Sequence, residues 1–408
     1  MIVFRIPKSF TSPQFLRISF FFFSCFLLIF PKGGVKLGSI PITWGYLFLG
    51  LTSLTLISRD LFKISKMHFY AFILLLPFQM VSLMNFALNG IKSYGFAISF
   101  FISFFILPVI FFLILSEYLS KLDLQFFGKI LKKGIFFLSV YGIFLFFYKI
   151  VTGKFFAIPL LTMNLGDSMG FEDKCISRGS ISKLISTYNN GNIFGICILM
   201  LLPLYQYFEK NFFKRNITKL ALVLTISRTV WIGLIIHEFI DLFFLQRKKI
   251  SNYFKITIIL FSIVFLIVFL LKSINVSLLF LFDLTLGSRI NQFEAIVTSG
   301  LFAASPFYAI TEIVYLGILN SFGYFGLLTF LIAITGPILL YKMQRKKDLF
   351  SKSVALGLGI YLIISLSDGA MQFIPVMAFY WFLASLLLGR QTAPAFCSDH
   401  AQNKKFYN

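Results

Sequence analysis

The sequence predicts an all-α, polytopic integral membrane protein with about twelve transmembrane helices. Of its 408 residues, 58% are hydrophobic and 13% are charged, whereas soluble domains average about 45–50% apolar and about 25% charged residues. Stretches such as Phe20–Phe23 and Ile256–Leu271 carry no charge, and a water-soluble core stops growing near about 250–300 residues. These observations exclude a water-soluble enzyme, and the aromatic content of 19% excludes a disordered or collagen-like chain.

Charged and Gly/Pro-rich breaks in the sequence separate the predicted helices, and a crossing takes about 17–25 residues. Phe-rich stretches also suit strands by local propensity, but the strands of a membrane barrel alternate with polar residues, and these segments do not. The predicted helices are approximately 16–30, 40–57, 69–88, 94–119, 131–151, 190–208, 216–226, 229–245, 256–271, 313–340, 353–367 and 371–388.

The formal net charge of +22 is explained mainly by topology. With the N-terminus inside, most Lys and Arg residues fall in cytoplasmic segments, as the positive-inside rule requires. Reading 216–245 as one crossing would move the later clusters outside and leave Arg228 inside the membrane at a cost of about 2.5–3.5 kcal/mol. We therefore expect a short or tilted crossing that turns at Ser227-Arg228, both termini in the cytoplasm, and no nucleic-acid partner.

The predicted organisation alternates helical blocks with two long periplasmic loops. The first apolar run lacks a small-residue cleavage site and is expected to stay as the first span. Residues 1–151 hold the first five helices, 152–189 the first long loop, 190–271 helices six to nine, 272–312 the second long loop, 313–389 helices ten to twelve, and 390–408 a cytoplasmic tail. Loops of this length are usually functional or disordered.

Common cofactor motifs are missing from the sequence. The three histidines are scattered, and neither a Cys-x-x-Cys pair nor a phosphate-binding Gly-rich loop occurs, so we expect no metal, no nucleotide and no other cofactor. The group His237, Glu238 and Asp241 has two interpretations. It is either a proton or substrate relay, as in a transporter, or a polar patch that pairs with neighbouring basic residues, and the second is favoured.

The long loops carry the remaining candidate chemistry. Arg178 lies in the first loop, and Arg289 and Glu312 lie in the second. A guanidinium group binds phosphate oxygens in a planar fork and keeps its charge, and a nearby carboxylate can accept a proton from a sugar hydroxyl. The alternative, favoured by spacing alone, is that these residues are ordinary solvated loop charges.

Four motifs resemble the O-antigen polymerase and O-antigen ligase superfamily of bacterial inner-membrane proteins. They lie between about residues 185 and 330, and they are Asn192-x-Phe194-Gly195, Ser227-Arg228, Arg289 followed after ten residues by Gly300, and Glu312-Ile313 followed by Gly323 and Gly326. In the ligases the last motif begins with a histidine. Here it begins with Glu312, so the resemblance is nearer to the polymerases.

The resemblance implies a metal-independent glycosyltransferase at the periplasmic face of the inner membrane. It would move a growing glycan from undecaprenyl diphosphate onto a lipid-linked repeat unit. Arg289 would stabilise the departing diphosphate and Glu312 would orient or deprotonate the attacking hydroxyl, as catalytic residues. The residues expected to bind the diphosphate or substrate are Arg228, Arg178, Asn192 and Gly300.

The expected partners are the undecaprenyl-diphosphate-linked oligosaccharide and the lipid bilayer, and a chain-length regulator is a further candidate. Two alternative functions remain open at this point. One is an O-antigen ligase that transfers the glycan to lipid A-core, and the other is a flippase for lipid-linked oligosaccharides. The transporter alternative would place its important residues at His237 and Glu238 rather than at the loop arginines.

Overall fold

The computed structural model describes residues 13–37, 40–57, 64–165, 177–178, 181–241, 289–344 and 348–389. Most residues in these ranges are helical, as the predicted all-α class requires, with short strands in the connections. Several predicted features lie outside the described residues: the helix at 256–271, the first part of the second long loop, most of the first loop's charged residues and the tail at 390–408.

The first half of the chain is a series of helices with one small sheet. Helices α1 (Pro13–Leu28) and α2 (Trp44–Ile57) flank an antiparallel hairpin of β1 (Gly34–Leu37) and β2 (Ile40–Thr43). The next elements are α3 (Lys66–Asn89), α4 (Tyr94–Phe101), two π-helical turns (Ile102–Ile106 and Val109–Ile114), α5 (Ser116–Ser120) and α6 (Leu124–Thr152). Strand β3 (Asn164–Leu165) pairs in parallel with β1.

The second half begins with two antiparallel strands of two residues each and continues as helices. Its elements are β4 (Ser177–Arg178), β5 (Ile181–Ser182), a 3-10 turn (Ser186–Tyr188), α7 (Gly191–Phe208), α8 (Phe212–Val223) and α9 (Arg228–Ile240). After the undescribed stretch come a 3-10 turn (Ile290–Glu294), α10 (Ala295–Thr298), α11 (Val314–Lys342), α12 (Leu349–Ile364) and α13 (Ile374–Gly389).

The length and hydropathy of these helices indicate a membrane protein. Within the described ranges, five helical runs are long and apolar enough to cross a membrane: Lys66–Asn89, Tyr94–Ile114, Leu124–Thr152, Gly191–Phe208 and Val314–Lys342. Helices α2, α12 and α13 are apolar but shorter. The 12 residues of α8 rise only about 18 Å, and twelve crossings remain a prediction.

Two helix boundaries differ from the expected ones for a clear physical reason. The sequence predicts that the fifth helix begins at residue 131, because the lysines near this position are typical of a loop. In the structure α6 begins at Leu124, since the carboxylate of Asp123 accepts hydrogen bonds from the N–H groups of Gln125 and Phe126 at 3.0 and 3.2 Å. Ser65 caps α3 in a similar position and starts that helix at Lys66. Side-chain caps therefore extend both helices beyond their apolar stretches.

Prolines inside the membrane helices leave backbone carbonyls that neighbouring side chains bind. Pro108 separates the two π-helical turns and has no N–H for the carbonyl four residues earlier. That carbonyl, of Phe104, accepts a hydrogen bond from Nε2 of Gln79 at 2.6 Å. The carbonyl of Ser103 accepts another from Nε1 of Trp381 at 2.7 Å. An unpaired backbone group in hydrocarbon costs several kcal/mol, so these bonds fix α3, the π-helical turns and α13 together.

The helices pack through aromatic contacts and through glycines. The ring of Phe78 on α3 makes edge contacts with Phe104 and with Phe330 on α11, at centroid distances of 5.3 and 5.2 Å. Helix α7 lies close to α9 at Gly195, which faces Val230, and close to α12 at Gly357, which faces the Met200 carbonyl. Small residues allow such close approach of membrane helices. The two glycines hold α7 against α9 near the starts of both helices and against α12 near the middle of both helices.

Helix α11 is broken at Gly323, which has a left-handed φ of 74° and a ψ of −176°. The N–H groups of Tyr324 and Phe325 donate to the carbonyls of Gly300 and Leu301 at 3.1 and 3.0 Å. The second half of α11 therefore receives its backbone cap from the loop that precedes the helix. Gly323 is required because a Cβ there would lie 2.6 Å from the Leu301 carbonyl oxygen.

Replacing Gly323 with alanine is expected to destabilise the protein by about 1–3 kcal/mol, the cost of a residue with a Cβ in a backbone conformation that is essentially restricted to glycine. The clash with the backbone of residues 301–302 adds to this cost. The matched control is Gly359→Ala in α12, where a new Cβ meets nothing within 4 Å and helix propensity improves. Thermal unfolding in detergent measures both variants, and equal losses would contradict the interpretation of the break.

Candidate functional site

One end of the helix bundle brings together the N-termini of α9 and α11 and a short connection. The N–H of Val314, at the start of α11, donates to the Ser365 carbonyl at 3.2 Å, and the N–H of Gly369 donates to the Glu312 carbonyl at 3.2 Å. Near the start of α9, the hydroxyls of Thr229 and Ser367 lie 3.1 Å apart. The connection between α12 and α13, residues 365–373, is thereby fixed against the starts of α9 and α11.

Arg289 is the centre of the polar group at this end. Its Nε donates to Oε2 of Glu312, its Nη2 donates to Oδ2 of Asp368 at 3.1 Å, and its Nη1 donates to the Ser367 carbonyl at 3.1 Å. The Arg289 side chain is 16% exposed, whereas that of Glu312 is 55% exposed. The guanidinium is therefore fixed from the protein side by Asp368 and from the solvent side by Glu312.

Asp368 links Arg289 to α7 and to the first long loop. It is 3% exposed, and its Oδ2 also accepts a hydrogen bond from Nδ2 of Asn192 at 2.8 Å. Its Oδ1 accepts from the Ala370 N–H at 3.2 Å. The buried Lys183 in turn donates to Oδ1 of Asn192 at 2.9 Å. We call Lys183, Asn192, Arg289, Glu312, Ser367 and Asp368 the Arg289 cluster.

The charge state of Asp368 depends on this environment. Burial raises the pKa of Asp368 above its ordinary range, the Arg289 guanidinium opposes this, and the Glu312 carboxylate raises the pKa further. The Ala370 N–H and the Lys183 ammonium group lower the pKa of Asp368 by smaller amounts. The net direction is upward, because desolvation of the charged form is the largest contribution.

We expect the contribution of Asp368 to the free energy of unfolding to increase as the pH falls through the window just above 3.8, the ordinary pKa of an aspartate. Because its pKa is raised in the folded protein, Asp368 binds a proton at a higher pH there than in the unfolded chain. The stabilisation that this proton gives is lost again as the pH rises through the folded-state pKa. Asp368→Asn should lack this component. The measurement is the difference in melting temperature between wild type and variant from about pH 4 to about pH 7, and parallel curves would contradict it.

The structure brings three of the six predicted site residues together. Arg289, Glu312 and Asn192 belong to the Arg289 cluster, with Asp368 bridging Asn192 and Arg289. Arg228 begins α9, immediately before Thr229, and so lies at the edge of the cluster. For Arg178 the structure describes the backbone, which pairs in β4 with Ile181 of β5.

Gly300, which the resemblance implies as a diphosphate- or substrate-binding residue, has a backbone contact in the structure. Its carbonyl caps the second half of α11 at Tyr324, and the described contacts do not connect it with the Arg289 cluster. The ten-residue spacing between Arg289 and Gly300 therefore has a structural basis. It sets the length of chain between the cluster and the break in α11.

Sequence reasoning missed Asp368 and gave Lys183 no role. Asp368 falls in the short gap between two predicted helices, where a carboxylate reads as an ordinary turn residue. Lys183 reads as one of several charges in the first long loop. The available signal for Asp368 is its position, since an acidic residue between two apolar helices is buried only when it has partners.

The group around His237 is paired within the protein. Glu238 accepts a hydrogen bond from Lys219 at 2.7 Å, and Nδ1 of His237 lies 3.1 Å from the same carboxylate oxygen. Lys219 lies on α8 and Glu238 on α9, so this ion pair joins the two helices. The geometry agrees with the favoured interpretation, a polar patch paired with a neighbouring basic residue.

The Arg289 cluster combines two cationic side chains, those of Lys183 and Arg289, with the two carboxylates of Glu312 and Asp368. Helices α7, α9 and α11 all begin at this end, and their N-termini add partial positive charge. The first N–H groups of α7 and the N–H of Val314 already donate to Asn190 Oδ1 and to the Ser365 carbonyl. Arg289 adds a planar set of donors suited to phosphate oxygens. The exposed carboxylate of Glu312 occupies one of these donors at the surface of the cluster.

Comparisons of the chain with family models, with curated proteins and with solved structures found no match.

Proposed function

We propose that this protein is a membrane glycosyltransferase of the repeat-unit polymerase type, acting on glycans linked to undecaprenyl diphosphate at the periplasmic face of the bacterial inner membrane. The observation that carries the proposal is the Arg289 side chain, which joins a buried carboxylate, Asp368, to an exposed one, Glu312. The motifs that resemble the O-antigen polymerases support the same assignment.

In the proposed reaction the diphosphate exchanges with Glu312 at Arg289. Asp368 and the Ser367 carbonyl keep the guanidinium oriented throughout, because they bind it from the buried side. The diphosphate oxygens then accept from Nε and from the remaining N–H donors, while Arg228 and the N-termini of α7 and α9 add positive potential. Electrostatic stabilisation of this kind acts on charge that develops as the diphosphate leaves.

The displaced Glu312 carboxylate is then available to the acceptor sugar. A hydroxyl oxygen of the acceptor attacks the anomeric carbon of the donor glycan, and the bond from that carbon to the diphosphate oxygen breaks. The diphosphate leaves with the bonding electron pair, and Glu312 takes the hydroxyl proton and later releases it to water. Atoms and charges balance without an added energy source, because the donor is already activated.

The direct test is chain lengthening by the purified protein in lipid vesicles, with a lipid-linked oligosaccharide as the sole substrate. A polymerase produces a ladder of longer lipid-linked products on a gel. A ligase produces no ladder and transfers glycan when a lipid A-core acceptor is added. A flippase moves the substrate across the membrane without lengthening it, so either of these results would contradict the proposal.

A further inference from the structure

Residues 290–302, which follow Arg289 directly, expose an unusual amount of apolar surface. We call them the 290–302 segment. Their only charged residue is Glu294. Exposed apolar patches of this kind mark an interaction surface. The side chains that contribute, with Val297 the most exposed at 88%, are Ile290, Phe293, Ile296, Val297, Leu301 and Phe302.

The 290–302 segment contacts the exposed side of α11, the side that points away from the helix bundle. Helix α11 is long and apolar enough to cross a membrane. The hydroxyl of Tyr324 donates to the Ile296 carbonyl at 2.6 Å, and the rings of Phe302 and Phe325 lie 5.5 Å apart. Three side chains on this side of α11 are themselves exposed, those of Tyr324, Phe325 and Leu328. The exposed apolar surface of α11 therefore continues onto the 290–302 segment.

The position of the segment along the bundle is given by two contacts. Asn89, the last residue of the apolar helix α3, donates from Nδ2 to the Ala303 carbonyl at 2.8 Å. The carbonyls of Gly300 and Leu301 cap the second half of α11, and residues 324–342 rise about 28 Å, close to the thickness of the hydrocarbon core. The segment thus lies where α3 ends and the second half of α11 begins.

We propose that the 290–302 segment is embedded in the interfacial layer of the lipid bilayer, with its apolar side chains among the acyl chains of the leaflet at the Arg289 end. The occupant of this surface is the phospholipid leaflet, because the surface is continuous with the exposed face of a membrane helix. Interfacial segments of this kind combine Phe and aliphatic residues on one side with polar residues on the other.

The sequence prediction places residues 272–312 in a loop outside the membrane. The last part of that loop is instead a fixed membrane contact. Arg289 immediately precedes it and is consequently held at the level of the lipid headgroups. A ligand with a charged head and an apolar tail can then reach the Arg289 cluster from within the leaflet.

Spin labelling in vesicles of phosphatidylethanolamine and phosphatidylglycerol tests the proposal. The four native cysteines are replaced, and single labels are placed by Val297→Cys and, as the water-exposed reference in the connection after α6, by Lys154→Cys. Both residues are exposed, so neither change disturbs the packing. Collisions of each label with oxygen, which concentrates in the bilayer, and with a water-soluble nickel chelate are then measured.

The label at position 297 is expected to have an oxygen-to-nickel collision ratio severalfold higher than the label at position 154. Equal ratios that favour nickel would mean that the segment lies in water, and this would overturn the proposal. Restricted access of both reagents to position 297 would mean that another part of the protein covers the surface, which would overturn it equally. Neither outcome depends on the enzymatic activity, so the proposed function is tested separately.

Discussion

Arg289→Ala is expected to reduce the initial rate of chain lengthening in reconstituted vesicles by at least about 10²–10³-fold, the usual cost of removing a donor that stabilises developing negative charge. The variant lacks the group that joins Glu312, Ser367 and Asp368. It leaves the proposed diphosphate without its planar set of donors. The measurement is the length distribution of lipid-linked products against time, at matched amounts of folded protein.

Two companion variants make the Arg289 result specific. Lys154→Ala removes an exposed cation in the connection after α6 and should retain the wild-type rate. Arg289→Lys keeps the charge but has no planar fork of donors, so a rate between those of wild type and Arg289→Ala is expected. Wild-type lengthening by Arg289→Ala would show that this residue has no part in the reaction.

Asp368→Ala is expected to destabilise the folded protein by about 3–5 kcal/mol, as when one partner of a buried ion pair is removed. The variant leaves the guanidinium of Arg289 and the amide of Asn192 without the carboxylate that they share. Unfolding in mixed detergent micelles measures the loss. The control is Glu294→Ala, a change at an exposed carboxylate of the same end of the bundle, which should stay within about 0.5 kcal/mol.

The double variant with both Arg289→Ala and Asp368→Ala shows whether the two side chains stabilise the protein through their contact with each other or independently. Because each single change already removes the contact between Asp368 and Arg289, the double change should cost less than the sum of the two, by about 0.5–3 kcal/mol. Strict additivity would show that the contact between Asp368 and Arg289 contributes no coupling. The same proteins assayed for lengthening would show whether Asp368 acts beyond orienting Arg289.

Much of the helical architecture was predictable because hydrophobicity and turn residues act locally. The separation of α8 and α9 follows from the charge pattern around Ser227 and Arg228, and the structure places the turn there. The early start of α6 was missed because the Asp123 cap is a single hydrogen-bonding residue in front of a lysine-rich stretch. The small strands β1 to β5 were missed because they lie in connections whose partners are set by the helices around them.

The candidate site was only partly predictable, for a different reason. Arg289 and Glu312 could be selected by chemical type, since both lie in a long loop. Asp368 could not, because its partners Arg289 and Asn192 are distant in sequence and are brought to it by the packing of α7, α9 and α12. Gly300 shows the opposite case, in which a motif residue has a backbone role at the break in α11.

The break at Gly323 also bears on how the protein is made. Ribosomes deliver the chain from the N-terminus, so the carbonyls of Gly300 and Leu301 emerge before the N–H groups of Tyr324 and Phe325 that they bind. The second half of α11 can therefore enter the lipid with its first N–H groups already paired. A cap supplied by a later part of the chain would leave these groups unpaired in hydrocarbon while synthesis continued, which is costly.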